Sequence, residues 1–281
     1  MSKSEIMFDV FNEPFEIIDL GVYLDAAAYA PWTYKAQHVS HADGARAMAS
    51  QFNRHKFSGE DREQKLEGTD FPESMGLAWT HVWLTDHAGN HIDAPYHFGP
   101  TVAGQPAKTI DQVPLSWCMG PGVRLDFRSH GGRDITVDDL KQELERLEVT
   151  LKPGMIPLIW SGADAHVNDD DQYWQSQAGL SLEGLYYLLD QGVRLVGIDG
   201  YAMDVSYNTM QQEYQKEDPM FLPAHFAGRD REHMHLEKLA NLEAIPCATG
   251  FIFAAFPIKI RGGSAGWVRP VAIVPRDRFS Q

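Results

Sequence analysis

The sequence predicts an α/β protein, because helical and strand patterns alternate through the middle of the chain. Apolar residues recur at helical spacing after Thr136 and again after Ser181, and both of these residues are favourable N-caps. Short apolar runs, MIPLIW at 155–160 and RLVGID at 194–199, flank the second helix and predict strands. The middle of the chain is therefore a strand–helix–strand unit, and the flanking halves are richer in strands, with FIFAAFPIKI at 251–260 as a further strand.

Length and composition predict a single catalytic domain over residues 1–281. A chain of 281 residues with 43% hydrophobic content can bury a substantial core, and no stretch has the composition of a linker. The balance of 24 basic and 39 acidic residues gives a formal net charge of −15. This charge predicts that neither nucleic acid nor a membrane is a partner, whereas a small-molecule substrate remains fully compatible with it.

Cysteine usage and hydropathy predict a soluble, cytoplasmic protein. Cys118 and Cys247 are too few and too far apart for a disulfide framework. The N-terminus lacks the apolar core of a signal peptide, and no run approaches the roughly 18 apolar residues of a membrane span.

Chelating side chains are concentrated in residues 86–100, DHAGNHIDAPYHFGP, where His87, His91, Asp93 and His97 fall within eleven residues. Imidazoles and a carboxylate suit a borderline divalent metal, and three protein ligands leave coordination positions open for water and substrate. In an extended segment His91 and Asp93 point to the same side, and a turn at Gly89 can bring His87 back to the ion. The alternative, scattered hydrogen-bonding histidines at a strand end, does not account for this density of ligands.

His97 follows Pro95, which lacks an amide hydrogen and keeps the preceding residue extended. The segment is therefore expected to leave the strand at this proline and to present His97 from an irregular turn, beside the metal.

The segment resembles the H-x-G-T-H-x-D-x-P-x-H signature of the cyclase family, which includes bacterial kynurenine formamidases, isatin hydrolase and trans-dienelactone hydrolase. Asn90 stands where the signature has Thr. The resemblance implies that His87, His91 and Asp93 are metal ligands and that His97 is the catalytic acid/base. It also implies an α/β fold of the swivelling β/β/α type, with a mixed sheet and flanking helices, assembled as a homodimer or homotetramer.

A second block places His225 and Glu237 twelve residues apart, which is similar to the spacing in the formamidases. In those enzymes the pair holds a second ion bridged by the motif's Asp, here Asp93, whereas isatin hydrolase is understood to use one metal. The resemblance thus implies one or two divalent ions, with Zn or Mn favoured. From the local sequence, His225 is expected on a loop and Glu237 just ahead of a helical run, and His233 and His235 compete with His225 for its role.

The resemblance covers most of the chain, with further matching blocks at 17–20, 197–199, Asp204, 257–260 and Arg269. Residues 205–224, together with the blocks at 228–242 and 264–267, look closer to ring-closing cyclases of aromatic polyketide pathways than to formamidases. A longer insertion would suit a larger substrate, although members that share a fold differ in chemistry.

Aromatic residues crowd the motif and are candidate substrate contacts: Trp79, Trp83, Tyr96 and Phe98. The alternative for each is packing on a strand face, since alternation of Trp79, His81 and Trp83 is typical of a half-buried strand.

These features predict metal-assisted attack on a carbonyl, with His97 moving the proton. The reaction is hydrolysis of an amide, lactam or lactone, or ring closure of an aromatic polyketide. Two other classes remain open: a non-haem iron oxygenase with a facial triad, and a catalytically inactive binding protein that keeps the metal for stability.

Overall fold

The computed structural model describes residues 14–24, 34–54, 65–167, 170–175, 177–213 and 221–280. The chain divides into a larger unit, Met1–Leu24 with Asp86–Gln281, and a smaller unit, Asp25–Thr85. A single catalytic domain over 1–281 stays a prediction.

Most secondary structure elements belong to the larger unit. The strands are β1 (Phe15–Asp19), β2 (Tyr34–Val39), β3 (Trp79–Leu84), β4 (His91–Asp93), β5 (Thr101–Val102), β6 (Gln105–Pro106), β7 (Met119–Asp126), β8 (Asp134–Ile135), β9 (Ile156–Trp160), β10 (Gly179–Leu180), β11 (Leu195–Ile198), β12 (Met234–Glu237), β13 (Phe251–Ala254), β14 (Ala265–Trp267) and β15 (Val271–Pro275). The α-helices are α1 (His41–Arg54), α2 (Pro95–Phe98), α3 (Val137–Arg146), α4 (Asp170–Gln175), α5 (Leu182–Asp190), α6 (Tyr207–Glu213) and α7 (Pro223–Phe226).

A nine-stranded mixed sheet, in the order β1-β15-β13-β7-β9-β11-β12-β4-β14, forms the centre of the larger unit. Strands β7, β9, β11 and β12 run parallel, and β4 and β14 extend the sheet by antiparallel pairing next to β12. This mixed α/β architecture confirms the predicted fold class.

The predicted strand–helix–strand unit is confirmed, since β9 and β11 pair in parallel and α5 lies between them in sequence. Both predicted N-caps are also confirmed. The Thr136 hydroxyl accepts a hydrogen bond from the Asp139 amide at the start of α3, and the Ser181 hydroxyl accepts one from the Gly184 amide at the start of α5. Local sequence therefore sets where both helices begin.

Two apolar layers cover the two faces of the sheet, because alternate residues along a strand point to opposite sides. On one face, Val196 and Ile198 pack against the buried leucines of α3 and α5, including Leu185. On the other face, Leu195 belongs to a second core with Leu236 and other residues of the neighbouring strands. The sheet is thus buried on both sides.

In the smaller unit, β2 and β3 form an antiparallel hairpin that pairs Tyr34 with Leu84 and Val39 with Trp79, and α1 follows β2 in the chain. Trp79 and Trp83 both lie on β3, where their side chains are substantially exposed. The expectation of a strand at Trp79, His81 and Trp83 is confirmed.

Two local expectations are wrong. The strand predicted over 251–260 ends at Ala254, and residues 255–260 leave the sheet. The helical run predicted after Glu237 is absent: Lys238 and Asn241 adopt positive φ angles of 65° and 58°, which an α-helix cannot contain, and only a short 3₁₀ turn follows.

Among the described residues, every helix is too short or too polar to span a membrane.

Candidate metal centre

Strands β4 and β12 carry the centre of the site on one face of the sheet. Their antiparallel register places His235 opposite Asp93 and Glu237 opposite His91. Because side chains alternate along a strand, these four residues point to the same face, while Ile92 packs into the apolar core on the other face. The prediction that His91 and Asp93 share a side agrees with this arrangement.

His91 and Asp93 are fully buried, and ion-pair distances rather than well-formed hydrogen bonds relate their ligand atoms to the other described residues. The His91 Nδ1–H donates to the Gly89 carbonyl at 3.0 Å, which leaves a lone pair on Nε2. Among the described residues, neither His91 Nε2 nor either Asp93 oxygen makes a hydrogen bond of proper geometry, although His91 Nε2 lies 3.2 Å from Asp93 Oδ1. Buried polar atoms without partners are costly, and a cation between these atoms would satisfy them together.

His87 reaches the same carboxylate from the turn before β4. Gly89 adopts φ 58° in this turn, as its sequence predicts, and His87 Nδ1 lies 2.9 Å from Asp93 Oδ1. The other ring nitrogen lies 3.1 Å from the Ser264 hydroxyl, which donates to Asp86. Burial lowers the pKa of His87, but the neighbouring carboxylates outweigh it, so that the net shift is upward.

His225 lies on the one-turn helix α7, whereas its sequence predicts a loop. Pro223 at the first helical position, with its fixed φ, favours this turn. Asp204 accepts hydrogen bonds from the Ala224 amide and from His225 Nδ1, so that His225 Nε2 faces Glu237 Oε1 at 3.4 Å. Burial alone would lower the pKa of His225, but the carboxylates around it raise the pKa to about 9. Asp204 thus orients His225, as carboxylates do for metal-binding histidines.

Glu237 is the last residue of β12, not a residue at the start of a helix. Its side chain is buried, with Oε2 3.5 Å from His91 Nε2, and Oε1 accepts a hydrogen bond from the Met203 amide at 3.2 Å. Burial and the nearby charge of Asp93 raise the pKa of Glu237. Two carboxylates therefore share a buried space, an arrangement that a divalent cation stabilises.

His97 lies on the one-turn helix α2, so the irregular turn expected after Pro95 is in fact a short helix, again with proline at the first position. Its ring centroid is 4.2 Å from that of His87 and 5.6 Å from that of His225. Although part of the residue faces solvent, loss of water around the ring lowers the pKa of His97 to about 4. The ring is therefore neutral at pH 7 and can accept a proton.

Two sets of side chains have ligand atoms within 4.8 Å of one another: His87, Asp93 and His97 form one, and Asp93, His225, His235 and Glu237 form the other. Asp93 belongs to both sets. His91 belongs to neither set, but its Nε2 lies 3.2 Å from Asp93 Oδ1 and 3.5 Å from Glu237 Oε2, so all six residues that the sequence suggests for metal binding and catalysis lie in one cluster. The donor types and the unpartnered buried atoms fit a divalent cation.

Asn90, which replaces the Thr of the family signature, connects three segments around the site. Its side-chain oxygen accepts a hydrogen bond from the Val22 amide at 2.6 Å, and its amide group donates to the Lys238 carbonyl. The Lys238 ammonium in turn donates to the His87 carbonyl at 3.0 Å. These contacts fix the turn that carries His87.

The aromatic candidates differ in position. Phe98 is buried, and its ring lies within 5.8 Å of the rings of His225, His233 and His235, so that its geometry is that of a packing residue. Tyr96, also on α2, is 45% exposed and is free to meet a ligand. Trp79 and Trp83 belong to the smaller unit. Substrate contact stays a prediction for all four.

Sequence reasoning did not assign roles to Ser264, Asp86 and Lys238, and it treated His235 only as a competitor of His225. Ser264 and Asp86 are far apart in the chain and meet only in the folded structure. No local signal marks such partners. His235 carried one usable signal, because it lies two residues before Glu237 and so shares its face in a strand.

Comparisons with known proteins place this chain among relatives of one family. A family model described as putative cyclase matches residues 18–205. A kynurenine formamidase of Salinibacter ruber is 27% identical over 188 residues, covering 67% of this chain and 76% of the relative. An isatin hydrolase of Roseibium aggregatum is 27% identical over 211 residues, covering 71% of this chain and 76% of the relative.

Solved structures share the fold. An isatin hydrolase bound to the product analogue thioisatinate superposes with a TM-score of 0.68 at 20% identity, covering 98% of this chain and 100% of that one. A potential metal-dependent hydrolase with cyclase activity gives a TM-score of 0.58 at 18% identity, covering 92% of this chain and 98% of that one.

Proposed function

The chain belongs to the putative cyclase family, and from this premise we propose that it is a metal-dependent hydrolase that cleaves an amide, lactam or lactone bond in a cyclic or aromatic small molecule. The relatives named kynurenine formamidase and isatin hydrolase support this substrate class. A carbonyl carbon attached to nitrogen or oxygen is the feature that such substrates share.

One observation carries the proposal: the buried, unpartnered ligand atoms of His91 and Asp93 lie beside His87. The neutral imidazole of His97 is adjacent, with its ring centroid 4.2 Å from that of His87. A divalent ion held by these ligands supplies a Lewis acid that polarises a carbonyl oxygen and makes water more acidic. Such a site needs a base nearby to accept the proton of the attacking water.

His97 fills the role of this base. Its pKa of about 4 keeps a lone pair on an imidazole nitrogen at neutral pH, so that the ring accepts a proton from water and returns it to the leaving nitrogen or oxygen. The residue is partly exposed, as proton exchange with the substrate requires. His87 and His91 would hold the metal, and their second ring nitrogens are fixed by Ser264 and the Gly89 carbonyl.

Several finer features are part of the same proposal. They comprise Zn or Mn as the native ion, a second ion on His225 and Glu237, a cytoplasmic location and a homodimer or homotetramer. Ring closure of an aromatic polyketide stays an alternative reaction. The segment that suggested it, between Asp204 and His225, includes residues 214–220, which lie outside the described residues.

The test is hydrolysis by protein loaded with Zn²⁺ or Mn²⁺, assayed on an N-formyl aromatic amine, on isatin and on an aromatic lactone. We expect turnover of at least one of the three. His97→Ala should lower kcat by roughly 10²–10⁴-fold with unchanged metal content, because only proton transfer is lost. His166→Ala, at a half-buried histidine of the Ala163–His166 turn, is the matched control and should keep full activity.

Two results would contradict the proposal. Fully metal-loaded protein that cleaves none of the three bonds would remove the hydrolase assignment for this substrate class. Normal turnover by His97→Ala would remove His97 from the mechanism.

A further inference from the structure

His233 and His235 are buried histidines that the proposed reaction does not use. His235 lies on β12 directly opposite Asp93 and on the same face as Glu237. Its ring meets that of His225 edge to face, with centroids 5.2 Å apart. The side chain is therefore part of the wall that surrounds the two carboxylates.

A chain of hydrogen bonds determines which nitrogen of His235 carries the proton. The Arg231 carbonyl can only accept, so His233 Nδ1, at 2.8 Å, must donate to it. The neutral His233 ring then has a lone pair on Nε2, which accepts from His235 Nε2 at 2.8 Å. His235 consequently holds its proton on Nε2 and a lone pair on Nδ1.

In this arrangement each ring carries one proton, His233 on Nδ1 and His235 on Nε2. A second proton on His235 Nδ1 would have no acceptor among the described residues. Phe98 stacks on His233, with ring centroids 5.0 Å apart, and holds the pair from one side.

The lone pair on His235 Nδ1 is buried and has no hydrogen-bond partner among the described residues. One ring nitrogen of His235 lies with ligand atoms of Asp93, His225 and Glu237 in a group whose members are all within 4.8 Å of one another. Since Nε2 is occupied by its hydrogen bond to His233, Nδ1 is the nitrogen that can turn to an ion. Around a tetrahedral zinc ion, ligand atoms are about 3.3 Å apart. The separation of His225 Nε2 from Glu237 Oε1 is already 3.4 Å, and that from Asp93 Oδ2 is 4.0 Å. A small contraction of the set would therefore enclose an ion.

We propose that His235 Nδ1 is the fourth protein ligand of a second divalent ion, which is also held by His225 Nε2, Glu237 and Asp93. The inference rests on the proposed metal centre and deepens it, because it gives the two ions different tasks. Four protein ligands close a tetrahedral site, whereas the site of His87 and His91 keeps positions open. An ion held by these four residues would neutralise the two buried carboxylates and hold Asp93 in place.

The predicted ligand set of two imidazoles and two carboxylates favours Zn²⁺ at the closed position over Mn²⁺, which prefers an octahedral set of oxygens. The closed site is therefore expected to select its metal more strictly than the open one.

The experiment titrates metal-free full-length protein with Co²⁺, whose visible absorption reports tetrahedral geometry, and follows binding by calorimetry. We expect two equivalents in the wild-type protein, one of them giving the tetrahedral spectrum. His235→Gln should weaken that equivalent by roughly tenfold or more and abolish its spectrum, while the other equivalent is retained. His166→Gln, the same change outside the site, should leave both equivalents unaltered.

A second variant covers the case in which His235→Gln fails to fold. His235→Cys places a thiolate at the same position, so that Co²⁺ binding should produce a sulfur-to-cobalt charge-transfer band beyond any given by wild-type Cys118 and Cys247. Folded His235→Cys without that band at saturating Co²⁺ would overturn the inference.

Other outcomes separate the inference from the proposed function. Wild-type protein that binds one ion and hydrolyses substrate would overturn the closed second site and leave the hydrolase assignment standing. An unchanged second equivalent in His235→Gln would likewise overturn the role of His235. Protein that binds no metal at all would overturn both.

Discussion

Two regions of the same sheet face differ sharply in what they bury. At β9 and β11 this face carries apolar residues such as Ile159 and Val196, which are covered by α3 and α5. One strand further, His235 occupies the position paired with Val196, and Asp93 lies beyond it. The same alternating geometry thus builds a hydrophobic core in one region and a cluster of ionisable ligands in the other.

The difference shows how stability and function are divided within one sheet. The covered region gains free energy from burial of apolar surface. The metal centre buries unpaired polar atoms and two carboxylates, which cost free energy until a cation binds. We therefore expect the effect of a substitution on stability to be independent of metal in the covered region and to depend on metal at the metal centre.

The largest effect on stability is expected in the covered region. Leu185, on α5, is fully buried in the core beneath the helices. Leu185→Ala should lower the free energy of unfolding by about 2–5 kcal/mol, because it removes apolar contacts and leaves a cavity. Denaturant unfolding should show the same loss with and without metal. A loss that appears only in the metal-bound protein would contradict the division between the regions.

A smaller effect of opposite sign is expected at the metal centre. Burial and Asp93 raise the pKa of Glu237, so its ionised form costs free energy in the metal-free fold. Glu237→Gln keeps an acceptor for the Met203 amide and removes the charge. It should raise the melting temperature of metal-free protein and lower that of metal-loaded protein.

The pH dependence of the Glu237→Gln effect follows from the direction of the shift. A raised pKa means that wild-type metal-free stability is fully present below the ordinary value of 4.5 and falls as pH rises through the higher, folded value. The advantage of Glu237→Gln should therefore grow with pH in that range. Melting curves of the two metal-free proteins between pH 4 and pH 8 test this sign, and a wild-type protein that gains relative to the variant would refute it.

The smallest effect is expected at the start of α3. The Thr136 hydroxyl accepts a hydrogen bond from the Asp139 amide, and the Asp139 carboxylate accepts one from the Thr136 amide. Thr136→Ala should cost about 1 kcal/mol by loss of this cap, with metal affinity unchanged. Chemical denaturation measures the first quantity and metal titration the second. A change in metal affinity would show that the two regions are coupled.

The parts of the fold that local sequence determines were predictable. Helices α3 and α5 follow from apolar spacing and from Thr136 and Ser181, and the His91-x-Asp93 alternation follows from strand geometry. The structure of the segment after Glu237 was not predictable from local sequence. Its residues favour a helix, but the pairing of β12 with β4 and the positive φ angles of Lys238 and Asn241 override that preference.

The site shows the same limit. Motif spacing pointed to its six principal residues, since they are close in sequence or match a family pattern. The contacts of Asp204 with His225 and of Ser264 with His87 join segments that only the tertiary fold brings together. The free lone pair on His235 Nδ1 likewise follows from the hydrogen bond between His235 Nε2 and His233, and residue spacing alone does not predict that contact.

Both proposals require that the buried ligands on β4 and β12 hold a divalent metal. Elemental analysis of protein purified without a metal-affinity tag tests it directly, with His91→Ala and the control His166→Ala measured alongside. We expect at least one Zn or Mn ion per chain in the wild-type and control proteins, and a lower metal content in His91→Ala. Wild-type protein with no bound metal, even after reconstitution with Zn²⁺ and Mn²⁺, would contradict it.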